Sequence, residues 1–372
     1  MKIDTITCHN VYNYGASLQA YALQHYLETL GHEVKIIDFQ PEFLRRRYRP
    51  FLVPKTGKAA AICKVLPFMK YPYGLYKNRN MFKTWGRKKS FDIFTQNYLH
   101  LTRRYNSSAE VQATPPGADA YIAGSDQIWN TDAPNGKEPA YYLDFGSNDV
   151  KRISYAASFG VSVIKDEYKN FVKKEISNID YVSVREATGV KIVKEMGLDA
   201  VQVIDPVFLL DAEQWSEVAK GAKEYGLHKD GYILVYDFLG DEKIASMADK
   251  LKQEYHLPTV SVNDFNIQKY ADININNAGP LEFLDLVRNA KVTIGSSFHL
   301  TAFSVIFQKD FYVYPLFSQR NSSRMKDFLN MLGLQDRFAA TNILGTIDYG
   351  GVNKIIEGQI KSSKDFLNSS LK

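Results

Sequence analysis

A glycine, two serines, a phenylalanine and a histidine stand in a row at Gly295-Ser296-Ser297-Phe298-His299. They separate an apolar run that reads as a strand, Ala290 to Ile294, from one that reads as a helix, Leu300 to Phe307. Small residues at such a turn leave backbone N–H groups and the positive end of a helix dipole aimed at one point, the chemistry of an anion site. A histidine on its rim is a proton donor at neutral pH. His299 is the candidate general acid, and Gly295, Ser296 and Ser297 form the candidate donor-binding turn. Farther on, Ser318-Gln319-Arg320-Asn321-Ser322-Ser323-Arg324 leads into a helix over Met325 to Leu332. Cations at a helix start oppose its dipole, and an anionic ligand would account for Arg320 and Arg324.

Three other turns follow strands. Asn13-Tyr14-Gly15-Ala16-Ser17 opens the first helix, with Gly15 allowing close approach and Ser17 placed to cap. It is either a substrate site or a plain turn, and it is not the GxGxxG of a dinucleotide site. Gly124-Ser125-Asp126-Gln127-Ile128-Trp129-Asn130 gathers polar groups and an indole. Here Asp126 can take a proton from a sugar hydroxyl, Ser125 and Gln127 can hold neighbouring hydroxyls, and Trp129 can stack on a ring. Arg185, in Ser183-Val184-Arg185-Glu186, either forks a carboxylate or phosphate or pairs with Glu186 or Asp205. Asp205-Pro206 reads as shaping the chain's exit from its strand.

These residues need a scaffold that collects strand ends. Strands are expected at Ile3–Cys8, Val34–Phe39, Ala120–Ala123, Ile153–Ala157, Tyr181–Val184 and Val201–Ile204, and again at Ile233–Tyr236, Pro258–Val262, Val292–Ile294 and Phe311–Tyr314. Helical periodicity lies between them, as at Ser17–Leu30, Ala187–Met196, Lys243–Tyr255 and Pro280–Asn289. Alternation in both halves predicts an α/β protein of two Rossmann-like, doubly wound domains with the active site in the interdomain cleft. The expected division is 1–212, an acceptor-side domain with an insertion at 43–91; 213–345, a donor-side domain; and 346–372, a helix that packs back on the first domain. The seam is expected near Asp211 to Leu227.

At 372 residues the chain is long enough for two domains, and 45% hydrophobic with 23% charged residues is ordinary for a globular enzyme. Two cysteines, Cys8 and Cys63, exclude a disulfide framework and a cysteine metal cage. No apolar run has the length of a membrane span, and the first residues lead directly into a strand pattern with no signal peptide, so a cytoplasmic location is expected. The net charge of +5 conceals an asymmetry. From Phe43 to Phe91 there are fourteen Lys or Arg and no Asp or Glu, leaving 32 basic against 41 acidic residues elsewhere. Interleaved with Tyr48, Phe51, Phe68, Tyr71, Tyr73, Tyr76, Phe82 and Trp85, this segment suits either an anionic lipid surface, a diphosphate-linked acceptor or a solvated helical insertion. The acidic remainder argues against nucleic acid.

Taken in order, these blocks resemble the polysaccharide pyruvyl transferase family. They are Asn13-Tyr14-Gly15 with Leu18-Gln19-Ala20, Gly124 to Asn130, Ser183 to Glu186, Asp205-Pro206, Ser296-Ser297-Phe298-His299 with Thr301-Ala302-Phe303, and Arg320 to Arg324. They run over about Asp4 to Leu334. The resemblance implies a glycosyltransferase-B-like fold. It also implies transfer of a pyruvyl group from phosphoenolpyruvate to a saccharide as a ketal in cell-surface polysaccharide biosynthesis, with no cofactor and no metal. His299 then protonates the donor methylene, Asp126 and Arg185 join it as catalytic residues, and Arg320 and Arg324 bind donor. Asn13, Tyr14, Gly15, Ser125, Gln127 and Trp129 bind acceptor. The acceptor is a lipid-diphosphate-linked or free saccharide, and the basic-aromatic segment Phe43 to Phe91 would then make peripheral contact with the inner face of the plasma membrane. Ser297-Phe298 departs from the Arg-x-His form of many members: either Arg320 or Arg324 replaces that cation, or the donor site is altered. A nucleotide-sugar glycosyltransferase of the same fold and a non-catalytic saccharide-binding relative are the alternatives.

Overall fold

The computed structural model describes residues 1–44, 58–77, 84–263, 266–316 and 323–372. Its first half builds a parallel sheet from β1 (Lys2–Ile6), β2 (Glu33–Phe39), β3 (Leu101–Tyr105), β4 (Ala120–Ala123) and β5 (Lys151–Ser154), in the order β3-β2-β1-β4-β5. Two short strands, β6 (Ser183–Val184) and β7 (Val201–Gln202), pair with each other, and bridges Ile153–Tyr181 and Ala157–Val184 attach them beside β5. The second half repeats the plan with β8 (Ile233–Tyr236), β9 (Thr259–Val262), β10 (Ile273–Ile275), β11 (Val292–Gly295) and β12 (Asp310–Val313), ordered β10-β9-β8-β11-β12 and all parallel. This is the doubly wound α/β arrangement expected, twice over. In each sheet the order reverses beside its first strand, so the carboxyl ends of β1 and β4, and of β8 and β11, open a crevice.

The helices of the first half are α1 (Tyr14–Thr29), α2 (Lys58–Val65), α3 (Lys70–Lys77), α4 (Trp85–Tyr98), α5 (Ser108–Ala113), α6 (Asp166–Ile176) and α7 (Ala187–Glu195). Those of the second are α8 (Ala212–Ala219), α9 (Glu242–Tyr255), α10 (Pro280–Asn289), α11 (Phe298–Ile306), α12 (Ser323–Leu332) and α13 (Tyr349–Ser370). Most carry one apolar stripe. α1 and α11 are buried on nearly every face, because each lies between its own sheet and the other half of the molecule.

The two halves share a hydrophobic cluster that includes Leu18, Leu23 and Phe208 from one side and Leu234, Phe283 and Phe303 from the other. Tyr14 stacks on Phe283 at 4.4 Å and donates its hydroxyl to the Ala278 carbonyl at 3.1 Å. Trp215, on α8, meets Phe303 edge-on at 5.0 Å and donates to the Val207 carbonyl at 2.8 Å. α13 returns to the first half, where the Ser363 hydroxyl accepts the Ile204 amide at 2.9 Å. A junction this apolar holds the halves in one arrangement.

Candidate active site

The site begins with a buried carboxylate. Asp205 starts a single 3-10 turn over Pro206–Leu209, and its Oδ1 accepts the Val207 amide at 3.1 Å. That leaves Oδ2 for three partners. Arg185 Nη1 donates to it at 2.5 Å, the Ser125 hydroxyl donates at 3.1 Å, and His299 Nε2 stands 3.6 Å away. Burial pushes the Asp205 carboxyl up, but the His299 and Arg185 charges outweigh it and hold the group well below the ordinary carboxylate range. Asp205, read from the sequence as shaping a chain exit, is the hub of the cluster; both readings describe it, one oxygen each.

Arg185 extends from the end of β6 and is buried. Its Nη1 also donates to Ser125 Oγ at 3.2 Å, its Nε lies 3.8 Å from Glu186, and the guanidinium covers the Phe298 ring at 4.6 Å. Burial opposes the charge, but Asp205, Glu186 and Asp126 outweigh that. Its Nε and Nη2 make no hydrogen bond. A buried guanidinium with donors to spare can take a further acceptor, and an anionic oxygen suits it best. Glu186 is already engaged: its Oε1 accepts from the Ser158 hydroxyl at 2.9 Å and the Phe159 amide at 3.0 Å.

Arg324 approaches the same space from the first turn of α12. Burial, then the charge of Arg185, push it down to about 10, while Glu186, Asp126 and Asp205 pull the other way. Its Nε is likewise without a hydrogen-bond partner. Two guanidinium groups from opposite halves thus repel across one pocket, which Asp327 and Phe298 also line. On the far side of Phe298, a cavity of about 70 Å³ is lined by Gln127, Ser296, Tyr314, Arg324 and Met325. Ser296 Oγ is enclosed there without a partner. Ser297 caps α11, its hydroxyl accepting the Leu300 amide at 3.4 Å. Gly295 closes β11 where the Tyr236 carbonyl and Leu300 leave no room for a side chain.

His299 lies in the first turn of α11. It is not on a solvent rim: the imidazole is enclosed, with Nε2 toward Asp205 and the ring against Gly15 of the other half. α1 approaches this closely because residue 15 has no side chain. Beside Gly15, Asn13 caps α1 by accepting the Ala16 amide at 3.2 Å.

The acceptor-side expectations divide. Asp126 sits in the left-handed region at φ +75°, an uncommon conformation for a residue with a side chain, and its Oδ1 accepts the Gln127 amide at 2.8 Å. Gln127 occupies the space beside Gly160, and its Oε1 accepts from Asn130 at 2.7 Å. Both remain partly open. Trp129 does not: it is wholly buried, stacked on Tyr142 at 5.4 Å, with its indole N–H given to the Tyr141 carbonyl at 3.0 Å. It is a core residue and offers no face to a sugar. Tyr14 is corrected in the same way, since its ring and hydroxyl are consumed by Phe283 and Ala278 at the junction. Ser125 is buried and supports Arg185 and Asp205 instead of meeting an acceptor. Arg320 lies outside the described residues. Sequence reasoning assigns no role to Phe298 or Asp327, which line the pocket with Arg324; Phe298 stands inside the Ser296 to His299 block, and no motif marks Asp327.

A family model described as polysaccharide pyruvyl transferase matches residues 13–315. No curated protein matches the chain. Among solved structures, the chain is similar to the UDP-GlcNAc 2-epimerase of Methanocaldococcus jannaschii in complex with UDP-GlcNAc and UDP, at 12% identity and a TM-score of 0.46, over 97% of this chain and 93% of that one. It is similar to the glycosyltransferase SnogD of Streptomyces nogalater at 11% identity and a TM-score of 0.43, over 98% and 96%. For MurG of Acinetobacter baumannii the identity is 11% and the TM-score 0.41, over 100% and 94%.

Proposed function

The chain belongs to the polysaccharide pyruvyl transferase family, and on that premise we propose that it transfers the pyruvyl group of phosphoenolpyruvate to a saccharide as a ketal, releasing phosphate. The observation that carries the reading is the pair of facing cations, Arg185 and Arg324, with unsatisfied guanidinium N–H groups and a histidine–aspartate pair beside them. Phosphoenolpyruvate carries two anionic groups on one small carbon frame, and two guanidinium forks suit them.

In this reading His299 gives its proton to the donor methylene, turning CH2 into CH3, as a first sugar hydroxyl adds to the adjacent carbon and loses its proton toward Asp126. The C–O bond to phosphate then breaks, phosphate leaves with the bonding pair, and the second hydroxyl adds with loss of its proton. One ketal and one phosphate result, with no oxidant or reductant. Asp205 supports the proton donor, because a carboxylate held ionised beside the ring stabilises an imidazolium. Arg324 supplies the cation from α12 that Ser297-Phe298 does not supply from α11. The acceptor is a lipid-diphosphate-linked or free saccharide of a cell-surface polymer.

The test is incubation with phosphoenolpyruvate and a lipid-linked oligosaccharide pool, reading phosphate release together with the mass gain of the glycan. Release coupled to that gain is expected. Turnover with a nucleotide sugar in place of phosphoenolpyruvate would overturn the proposal, as would no turnover with either donor.

A further inference from the structure

α2, the turn after it and α3 carry a run of exposed apolar side chains. Ile62 and Val65, one helical turn apart on α2, are exposed, and Val65 is 78% open. Leu66 and Phe68 continue the surface through the connecting turn, with Phe68 63% open. On α3, Tyr71 and Leu75 share a face and are exposed, and Tyr76 is 68% open. Single exposed hydrophobics are ordinary, but seven within fifteen residues are not.

Charge decides what covers this surface. The sequence from Phe43 to Phe91 holds fourteen Lys or Arg and no acidic residue, and Lys64 is exposed within the patch. A second copy of the chain would bring the same positive arm against this one. An anionic bilayer brings complementary charge, an apolar interior for Ile62, Val65, Leu66 and Leu75, and an interfacial zone that suits Phe68, Tyr71, Tyr76 and the exposed Trp85. Among the described residues no helix is long and apolar enough to cross a membrane. We propose that α2, α3 and the turn between them dock this protein onto an anionic lipid surface.

α4, the next described helix in the chain, places Arg87 over the rings of Tyr14 and Phe91 at 4.9 and 4.4 Å. Asp92 accepts the Tyr12 hydroxyl at 3.0 Å, and Ser90 donates to the Asn277 carbonyl of the second half at 3.2 Å. Tyr14 adjoins Gly15, whose backbone meets His299.

The experiment uses the full chain and sedimentation with two kinds of vesicle: phosphatidylcholine alone, and phosphatidylcholine with about 30% phosphatidylglycerol. Binding to the second kind only is expected, falling as salt rises from about 0.05 to about 0.5 M. A Val65→Ser/Phe68→Ser/Tyr76→Ser protein should bind at least about tenfold less with an unchanged thermal melt, and Lys64→Glu should weaken binding on its own. Equal binding to both vesicles, or none, overturns the proposal. So does concentration-dependent dimerisation that the triple variant abolishes, which would assign the patch to self-association. None of these readouts involves phosphoenolpyruvate, so failure here and failure of the donor assignment are distinguishable.

Discussion

Gly15 and His299 occupy adjoining space across the junction of the two halves: a β-carbon on residue 15 would lie inside the His299 imidazole. The contact couples the opening of α1 in the first half to the first turn of α11 in the second. It fixes the imidazole's back face, so that Nε2 is directed to Asp205.

Gly15→Ala should therefore displace His299 without unfolding the chain. A catalytic group moved by about 1 Å costs on the order of 100-fold in rate, while the donor binding proposed for Arg185 and Arg324 should be untouched. The expected outcome is a kcat lowered by about that factor with KM for donor held, read from initial rates of phosphate release. A Gly15→Ala protein of unchanged kcat would separate His299 from the chemistry.

Asp205→Asn removes the charge that both Arg185 and His299 face. Breaking a buried pair from one side costs about 3–5 kcal/mol. The pH dependence follows from the direction of the shift: a carboxyl held below its ordinary value contributes stability that is complete above that value and is lost as pH falls toward the folded one. Denaturant midpoints of wild type and variant should differ most at neutral pH and draw together progressively as pH falls below about 4. A gap that persists undiminished in acid would rule out the ionised carboxylate as its source.

How much of this was readable in the sequence depended on how local the determinants were. α10 is Pro280–Asn289 in both sequence and structure because Pro280 starts it and its apolar stripe is regular. β3, Leu101-Thr102-Arg103-Arg104-Tyr105, went unseen because an edge strand with exposed arginines lacks the apolar run that marks a central one. β10, at an edge of the second sheet, went unseen because three residues, Ile273-Asn274-Ile275, are too few to show a period. Trp129 looked like a sugar platform because an aromatic after a strand reads alike whether its ring turns to the cleft or to the core. Tyr142, thirteen residues on, decides the matter by stacking. His299 and Arg185 were legible by type and position, but their common partner Asp205 and the abutment on Gly15 join distant segments, which only the folded chain brings together.

Asp4 offers a test of stability away from the site. It lies on β1 and is buried, and burial, with Glu33 adding and Lys35 subtracting, pushes its carboxyl up to about 6. A raised acid binds its proton more tightly in the folded state, so stability falls as pH rises from about 4 through about 6. Asp4→Asn removes that loss and should stabilise by about 1–3 kcal/mol at pH above about 7, with little change near pH 4. Urea melts at the two pH values measure it, and equal effects at both would show that burial of the charge is not the cause.

Arg324 reaches the pocket from a helix that is itself tied across the junction. Asp327, one turn along α12, accepts both the Thr188 amide at 3.1 Å and the Thr188 hydroxyl at 2.6 Å, placing a carboxylate at the start of α7. That tie holds α12 where Arg324 faces Arg185 against their mutual repulsion. Arg324→Gln should raise KM for donor by about 10–100-fold, the worth of a charged hydrogen bond. Asp327→Ala, which touches neither reacting group, should raise the same KM by about tenfold while kcat stays within about threefold, because the loss falls on the placing of Arg324 and not on the proton transfer. Asp327→Asn keeps an acceptor for both Thr188 donors and should restore most of the affinity. If Asp327→Ala lowers kcat and leaves KM unchanged, α12 is not positioned through Thr188, and Arg324 is held by its own surroundings alone.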